Sequence, residues 1–247
     1  MRRCASAWRA TSPRCDGAAV SEWWTYTPAD FLMFAPRIYW RLFEALNRQT
    51  WPAVLLAPSA GVAWLLWVAR DTARPGAAAA RLAAVALALA WAAVALLFLQ
   101  PLLAPIHWLA AYIAPAFGLQ AVLLLALAAL GGLGATASPR RRRAGLALLG
   151  YALLLHPLCP LLDGRPLTQA EVFGLAPDPT VLATLGVLLL CRATTPAGRV
   201  LGRTAWVLPV AWCALSAATL WTMGSAQGFA LAGGVLLALV AARRRSL

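Results

Sequence analysis

Seven apolar stretches divide this chain, at about 51–69, 82–100, 116–135, 144–161, 179–192, 206–222 and 226–242. Most approach the roughly 20 residues that cross about 30 Å of hydrocarbon. With 62% hydrophobic and only 12% charged residues, the chain lies far from the about 45–50% and 25% of a soluble domain. Hydrocarbon offers no partner to a free N–H or C=O, so each stretch must pair its backbone internally and be a helix. The expectation is an all-α, polytopic membrane helix bundle of about seven transmembrane helices over residues 51–245, preceded by an N-terminal interfacial amphipathic helix.

Arginine writes the orientation. The basic residues number 21, all Arg, and the formal net charge is +13. That usage, with the abundance of Ala, suggests a GC-rich bacterial genome. The successive connections and the C-terminal tail carry 3, 0, 4, 1, 3, 0 and 3 arginines. Positive residues stay on the cytoplasmic side, so the odd connections and the C-terminus are expected in the cytoplasm. The N-terminus and the even connections are then expected in the periplasm of a bacterial inner (cytoplasmic) membrane protein. A six-span chain with its N-terminus inside is the alternative. No nucleic-acid motif accompanies the charge, so no nucleic-acid partner is expected.

Residues 1–19 hold no apolar core and differ in character from the residues after them. They read as a mis-annotated or disordered extension, with translation starting at Val20, a position a GTG codon would serve. Residues 20–50 read as the interfacial helix. Thr27 and Pro28 offer a cap and a first turn. Phe34, Ile38, Leu42, Phe43 and Leu46 follow at helical spacing, with Arg37, Arg41, Glu44 and Arg48 opposite. Packing of this helix on the bundle is compatible with an interfacial position. Later in the chain, Ala230, Gly234 and Ala238 form a small-residue face suited to close helix contact.

Groups able to do chemistry are few. No acidic residue falls inside the seven stretches, which weighs against ion-coupled transport. No nucleophile elbow, metalloprotease motif, phosphate loop or glycine fingerprint occurs, so no catalytic residue is assigned and an enzyme is the less favoured class. His107, His156 and Cys159 make a donor set compatible with copper or zinc. Isolated histidines at helix ends are more often hydrogen-bonded caps, and neither a metal nor a cofactor is expected.

The segment DGRPLTQAEVFGLAPDPT, residues 163–180, concentrates Asp163, Glu171 and Asp178 between two apolar stretches. Asp178 beside two prolines suits a helix start without further function. The segment is expected to clasp the N-terminal helix, with Phe173 and Leu175 against Phe34 and Ile38 and its acids facing Arg37, Arg41 and Arg48. The candidate ligand-binding residues are His156, Asp163, Glu171, Asp178 and His107.

These motifs carry a resemblance. The stretch from Tyr151 through Phe173, Gly174, Leu175, Pro177, Pro179 and Thr180 resembles the central signature of an uncharacterised bacterial membrane-protein family, number 6064 among the domains of unknown function. Asn47 before Trp51 and Pro52 resembles that family's entry. Many members carry Cys between the two prolines, where this chain has Asp178. The resemblance implies the membrane class and no activity. The reading is an inner-membrane protein that binds a small ligand or partner at its outer face, within the lipid bilayer and as a homo-oligomer or beside a membrane partner protein. A small transporter or permease subunit is the alternative.

Overall fold

The computed structural model describes residues 34–70, 76–135 and 138–243. The extension, the Val20 start, Thr27 and Pro28 lie outside the described residues. The helices are α1 (Pro36–Gln49), α2 (Ala53–Arg70), α3 (Ala77–Leu103), α4 (Trp108–Leu130), α5 (Pro139–Asp163), α6 (Pro177–Leu190), α7 (Pro196–Thr204), α8 (Val207–Thr222) and α9 (Gln227–Ala242). All seven apolar stretches therefore fold as helix. Among the described residues, five segments are long and apolar enough to cross a membrane: α2, α3, α4, α5, and α7 with α8 taken together. The helices α6 and α9, of 14 and 16 residues, are shorter.

Two stretches end sooner than their hydropathy suggests. Leu133–Ala135 (β1) and Cys191–Ala193 (β2) are extended and pair antiparallel, Leu133 opposite Ala193. Gly132 takes a positive φ of 53° before β1, a conformation that ends a helix and that glycine adopts without steric cost. Hydropathy alone does not register that break.

Helix α6 is the axis of the bundle, with every residue from Pro177 to Leu190 buried. A helix buried on all sides can be apolar all round, which is why this stretch lacks amphipathic periodicity. Its neighbours come close because both sides are small. A Cβ added at Gly145 would meet the Gly186 carbonyl oxygen at 2.8 Å, and one at Gly186 would meet that of Gly145 at 2.9 Å. On α9, a Cβ at Gly234 would lie 2.8 Å from Leu182 and Ala238 is fully buried, as the small-residue face predicts. Leu89, Leu96, Leu119, Val122 and Phe229 are exposed on the outside.

The arginine-rich connections gather at one end. There β1 pairs β2, and Arg142 donates to the carbonyls of Val68 and Ala69, each at 3.4 Å. Arg141, Arg192, Arg199 and Arg203 line one pocket. At the opposite end, α1 meets the segment after α5. Asn47 Nδ2 donates to the Thr168 and Ala170 carbonyls at 3.0 and 2.9 Å.

The clasp therefore forms, but with different residues from those expected. Helix α1 buries Tyr39, Trp40, Phe43 and Leu46, a face rotated away from Ile38, which is 43% exposed. Phe173 is half-buried and lies by α2, where a Cβ on Gly61 would come within 3.4 Å of it. The expected charge pairing is also replaced. Arg48 bonds Glu44 at 3.0 Å along its own helix, and Asp163 takes Arg165 at 3.2 Å.

Candidate functional site

Prolines shape the end of α5. Pro157 and Pro160 have no N–H to give, and the helix departs from regular α geometry around them. Residues Tyr151–Leu155 form a widened π-type stretch and His156–Asp163 a tightened 3₁₀-type one. Such irregular turns recur at functional sites. Here they bring His156 inward, fully buried, with its ring 5.7 Å from that of Tyr151 in an edge-on arrangement. Gly164, at a φ of 67°, then reverses the chain.

The return segment is tied down from within. Gly174, at a φ of 84°, donates its N–H to Thr180 Oγ1 at 2.9 Å, and that hydroxyl donates to the Ala176 carbonyl at 2.7 Å. A Cβ on Gly174 would stand 3.2 Å from Ala57. The turn therefore places Glu171 and Asp178 at the top of α6 beneath α1. Both are buried, Glu171 1% exposed and Asp178 fully enclosed.

Asp178 sits in the first turn of α6, as its flanking prolines suggest, but its side chain does not cap the helix. The cap position is Ala176, with no side-chain cap bond. Instead Asp178 Oδ1 accepts from Trp212 Nε1 at 2.7 Å and Oδ2 from Ser216 Oγ at 2.8 Å. Both donors come from α8, so the carboxylate couples two central helices. An aromatic run extends behind it, Phe117 standing 5.0 Å from Trp212 and 4.3 Å from Trp91. Trp91 in turn donates to Thr184 at 2.8 Å.

Around Asp178 the structure assembles four of the five candidate residues. One ligand-type atom from each of His156, Glu171 and Asp178 lies within 4.8 Å of the others. His156 Nε2 stands 3.6 Å from Glu171 Oε2, beyond hydrogen-bond length. With its amide oriented by its surroundings, Gln227 donates to Glu171 Oε1 at 2.9 Å and accepts from Arg165 at 2.7 Å. Asp163 Oδ2 accepts from Arg165 and, at 2.7 Å, from Ser225. The Arg165 guanidinium lies 3.4 Å from the centre of the Trp40 ring. The field of the centre reaches α1, where burial pushes the Tyr39 hydroxyl well above its ordinary range. The negative charges of Glu171 and Asp178 push it further, against Arg165.

His107 stays apart. It precedes α4 with no side-chain cap bond and packs on Phe34 at 5.7 Å between ring centres. Burial lowers its pKa from the ordinary histidine value. His156 is no cap either, since among the described residues both of its ring nitrogens lack a hydrogen-bond partner, as does Glu171 Oε2. Each such buried group costs about 1–3 kcal/mol. Nε2 of His156 and Oε2 of Glu171 stand side by side at 3.6 Å, and buried polar atoms without a protein partner call for a ligand.

Sequence reasoning missed Trp212, Ser216, Ser225 and Gln227. The only trace of them in the sequence is an indole, two hydroxyls and an amide in or beside apolar stretches, each needing a buried partner.

None of the curated proteins and none of the solved structures matches the chain. Residues 36–247, which hold the whole centre from Trp40 to Gln227, match the family of unknown function DUF6064, and the chain belongs to that family.

Proposed function

We propose that the chain is an integral protein of a bacterial inner membrane that binds a small ligand in the sealed polar centre at the end away from its arginine-rich connections, which faces the periplasm. The observation that carries this reading is the set of unpartnered polar atoms on His156 and Glu171, enclosed in an otherwise apolar bundle. The gathering of the arginine-rich connections at the opposite end supports the orientation. Exposed leucines around the outside suit a lipid environment.

Reporter fusions test the placement. Fusions after Arg143 and after Arg243 are expected to report cytoplasm and one at Thr168 periplasm, with the protein resisting carbonate extraction from membranes. A cytoplasmic signal at Thr168 would overturn the orientation. A second reading, a small transporter or permease subunit, gains from the same centre, because ionisable groups enclosed among apolar helices mark proton and ion pathways. Solute flux into proteoliposomes that is lost on Asp178→Asn would favour it.

A further inference from the structure

The geometry points to a divalent first-row metal ion, with zinc as the leading case, held by the imidazole of His156, Oε2 of Glu171 and a carboxylate oxygen of Asp178. This inference rests on reading the centre as a ligand site and names the ligand's class.

Charge comes first. When both carboxylates are ionised and His156 is neutral, the centre carries a formal charge of −2 in a closed apolar surrounding, which a bound cation or protons must offset. The nearest fixed cation, Arg165, already pairs with Asp163 through Nη2, while its Nε and Nη1 have no hydrogen-bond partner among the described residues. It also bonds the Gln227 oxygen and lies on the Trp40 face. A protonated His156 would offset one carboxylate and leave the other, whereas a divalent ion with a neutral imidazole offsets both.

Spacing comes second. Tetrahedral bonds of about 2.0–2.2 Å put neighbouring donor atoms roughly 3.3–3.6 Å apart. The 3.6 Å between His156 Nε2 and Glu171 Oε2 is too long for a hydrogen bond and falls at the edge of that range. An oxygen of Asp178 lies within 4.8 Å of the other two donors, near enough to complete the set around one ion.

The surrounding bonds fit the same purpose. Gln227 occupies Glu171 Oε1 and leaves Oε2 free toward His156. Trp212 and Ser216 each hold one oxygen of Asp178, and a carboxylate oxygen that accepts one bond keeps a lone pair for a metal. Ligating carboxylates are commonly fixed by hydrogen bonds of this kind. The donor set is nitrogen and oxygen, which suits zinc, manganese and iron over copper(I). The nearby thiol of Cys159 is engaged with the Tyr151 hydroxyl at 3.4 Å and the Leu155 carbonyl at 3.7 Å. Three protein donors leave a fourth position for water or an outside ligand.

The test uses the full chain, purified in detergent and stripped with chelator, then equilibrated with Zn²⁺ or Co²⁺ and freed of excess metal. About one equivalent of metal per chain by mass spectrometry is expected, with the visible absorption of four- or five-coordinate Co²⁺. His156→Ala and Glu171→Gln should each abolish both signals. Gln227→Ala, which keeps all three donors, should retain the stoichiometry and weaken binding 10–100-fold. Helical circular dichroism and a single gel-filtration peak identify the variants that fold. The proposal is overturned if the stripped wild-type chain takes up no stoichiometric metal, or if folded His156→Ala or Glu171→Gln binds as the wild type does. Should the donor variants fail to fold, unchanged affinity in Gln227→Ala overturns it too. Failure here with Thr168 still reporting periplasm removes the metal and leaves the membrane placement intact, while a cytoplasmic Thr168 with metal bound does the reverse.

Discussion

Arg165 lays its guanidinium on the face of Trp40, 3.4 Å from the ring centre, and so fastens the segment after α5 to the helix that precedes the whole bundle. The indole is itself 7% exposed, so both the charge and its platform are drawn out of water, where a cation–π contact is strongest. Trp40→Phe keeps a smaller aromatic face and is expected to cost about 0.5–2 kcal/mol, and Trp40→Ala about 3–5 kcal/mol with the cavity it leaves. Unfolding in mixed detergent micelles, followed by circular dichroism, measures both. A double-mutant cycle with Arg165→Met isolates the cation, and a coupling near zero would mean that the cation contributes nothing beyond packing.

Asn47 gives the same attachment a second point through its two bonds to the Thr168 and Ala170 carbonyls. Asn47→Ala removes both donors and should release the segment at a cost of about 1–3 kcal/mol. Limited proteolysis offers a local reading: chymotrypsin cleavage after the exposed Leu167 should speed up severalfold, while trypsin cleavage after Arg199 at the other end keeps its wild-type rate.

Thr180 holds the turn that delivers Glu171 and Asp178, accepting from Gly174 and donating to Ala176. Thr180→Val keeps the shape and strands a buried N–H, an expected loss of about 1–3 kcal/mol. Thr180→Ser keeps the hydroxyl and should lose much less. A melting temperature that fails to separate the two would show that the hydroxyl is not what holds the turn.

Gly145→Ala and Gly186→Ala each place a methyl within 3 Å of the facing carbonyl oxygen, and overpacking of this kind costs about 1–3 kcal/mol. Gly150→Ala is the control. Nothing lies within 4 Å of its added Cβ and its backbone is ordinary helix, so it should be neutral or stabilising by up to about 1 kcal/mol. Comparing the three melting temperatures decides it.

His107 should titrate below the ordinary histidine value of about 6.5, because burial disfavours its charged form. With the folded value lower than the unfolded one, the unfolded chain binds more protons between the two, so stability rises with pH across that window. The contribution is complete above about pH 6.5 and fades as pH falls from there toward the folded value. An NMR titration of the ring protons, set against His107→Gln, reads the midpoint. A midpoint above 6.5 would reverse the sign.

Much of this molecule was legible in its sequence. Apolar length found every main helix of the bundle, and the arginine count sorted the connections into the two ends that the fold assembles. The acids of the 163–180 segment, with His156, identified the region of the polar centre. What periodicity could not supply was direction. Phe34, Phe43 and Leu46 are buried as their spacing suggests, but Ile38 is exposed and Tyr39 and Trp40 reach inward instead, Trp40 to meet Arg165, far along the chain. Asp178 does sit in the first turn of its helix, but local spacing says nothing about its bonds to Trp212 and Ser216, more than thirty positions away. Gly132 ended a helix within a stretch whose hydropathy continued past it.

Gly145 and Gly186 act at a distance from where they touch. Eleven residues on from the first stands His156, and eight residues before the second stands Asp178, roughly 16 and 12 Å along their helices. The two chains of backbone meet where neither has a side chain and then run to the same group of donors, like the arms of a caliper on one pivot. A coordination sphere tolerates errors of only about 0.2 Å in its bond lengths. The aperture of this caliper is set by the absence of two methyl groups, so the residues with the least chemistry in the bundle determine whether those with the most can work together.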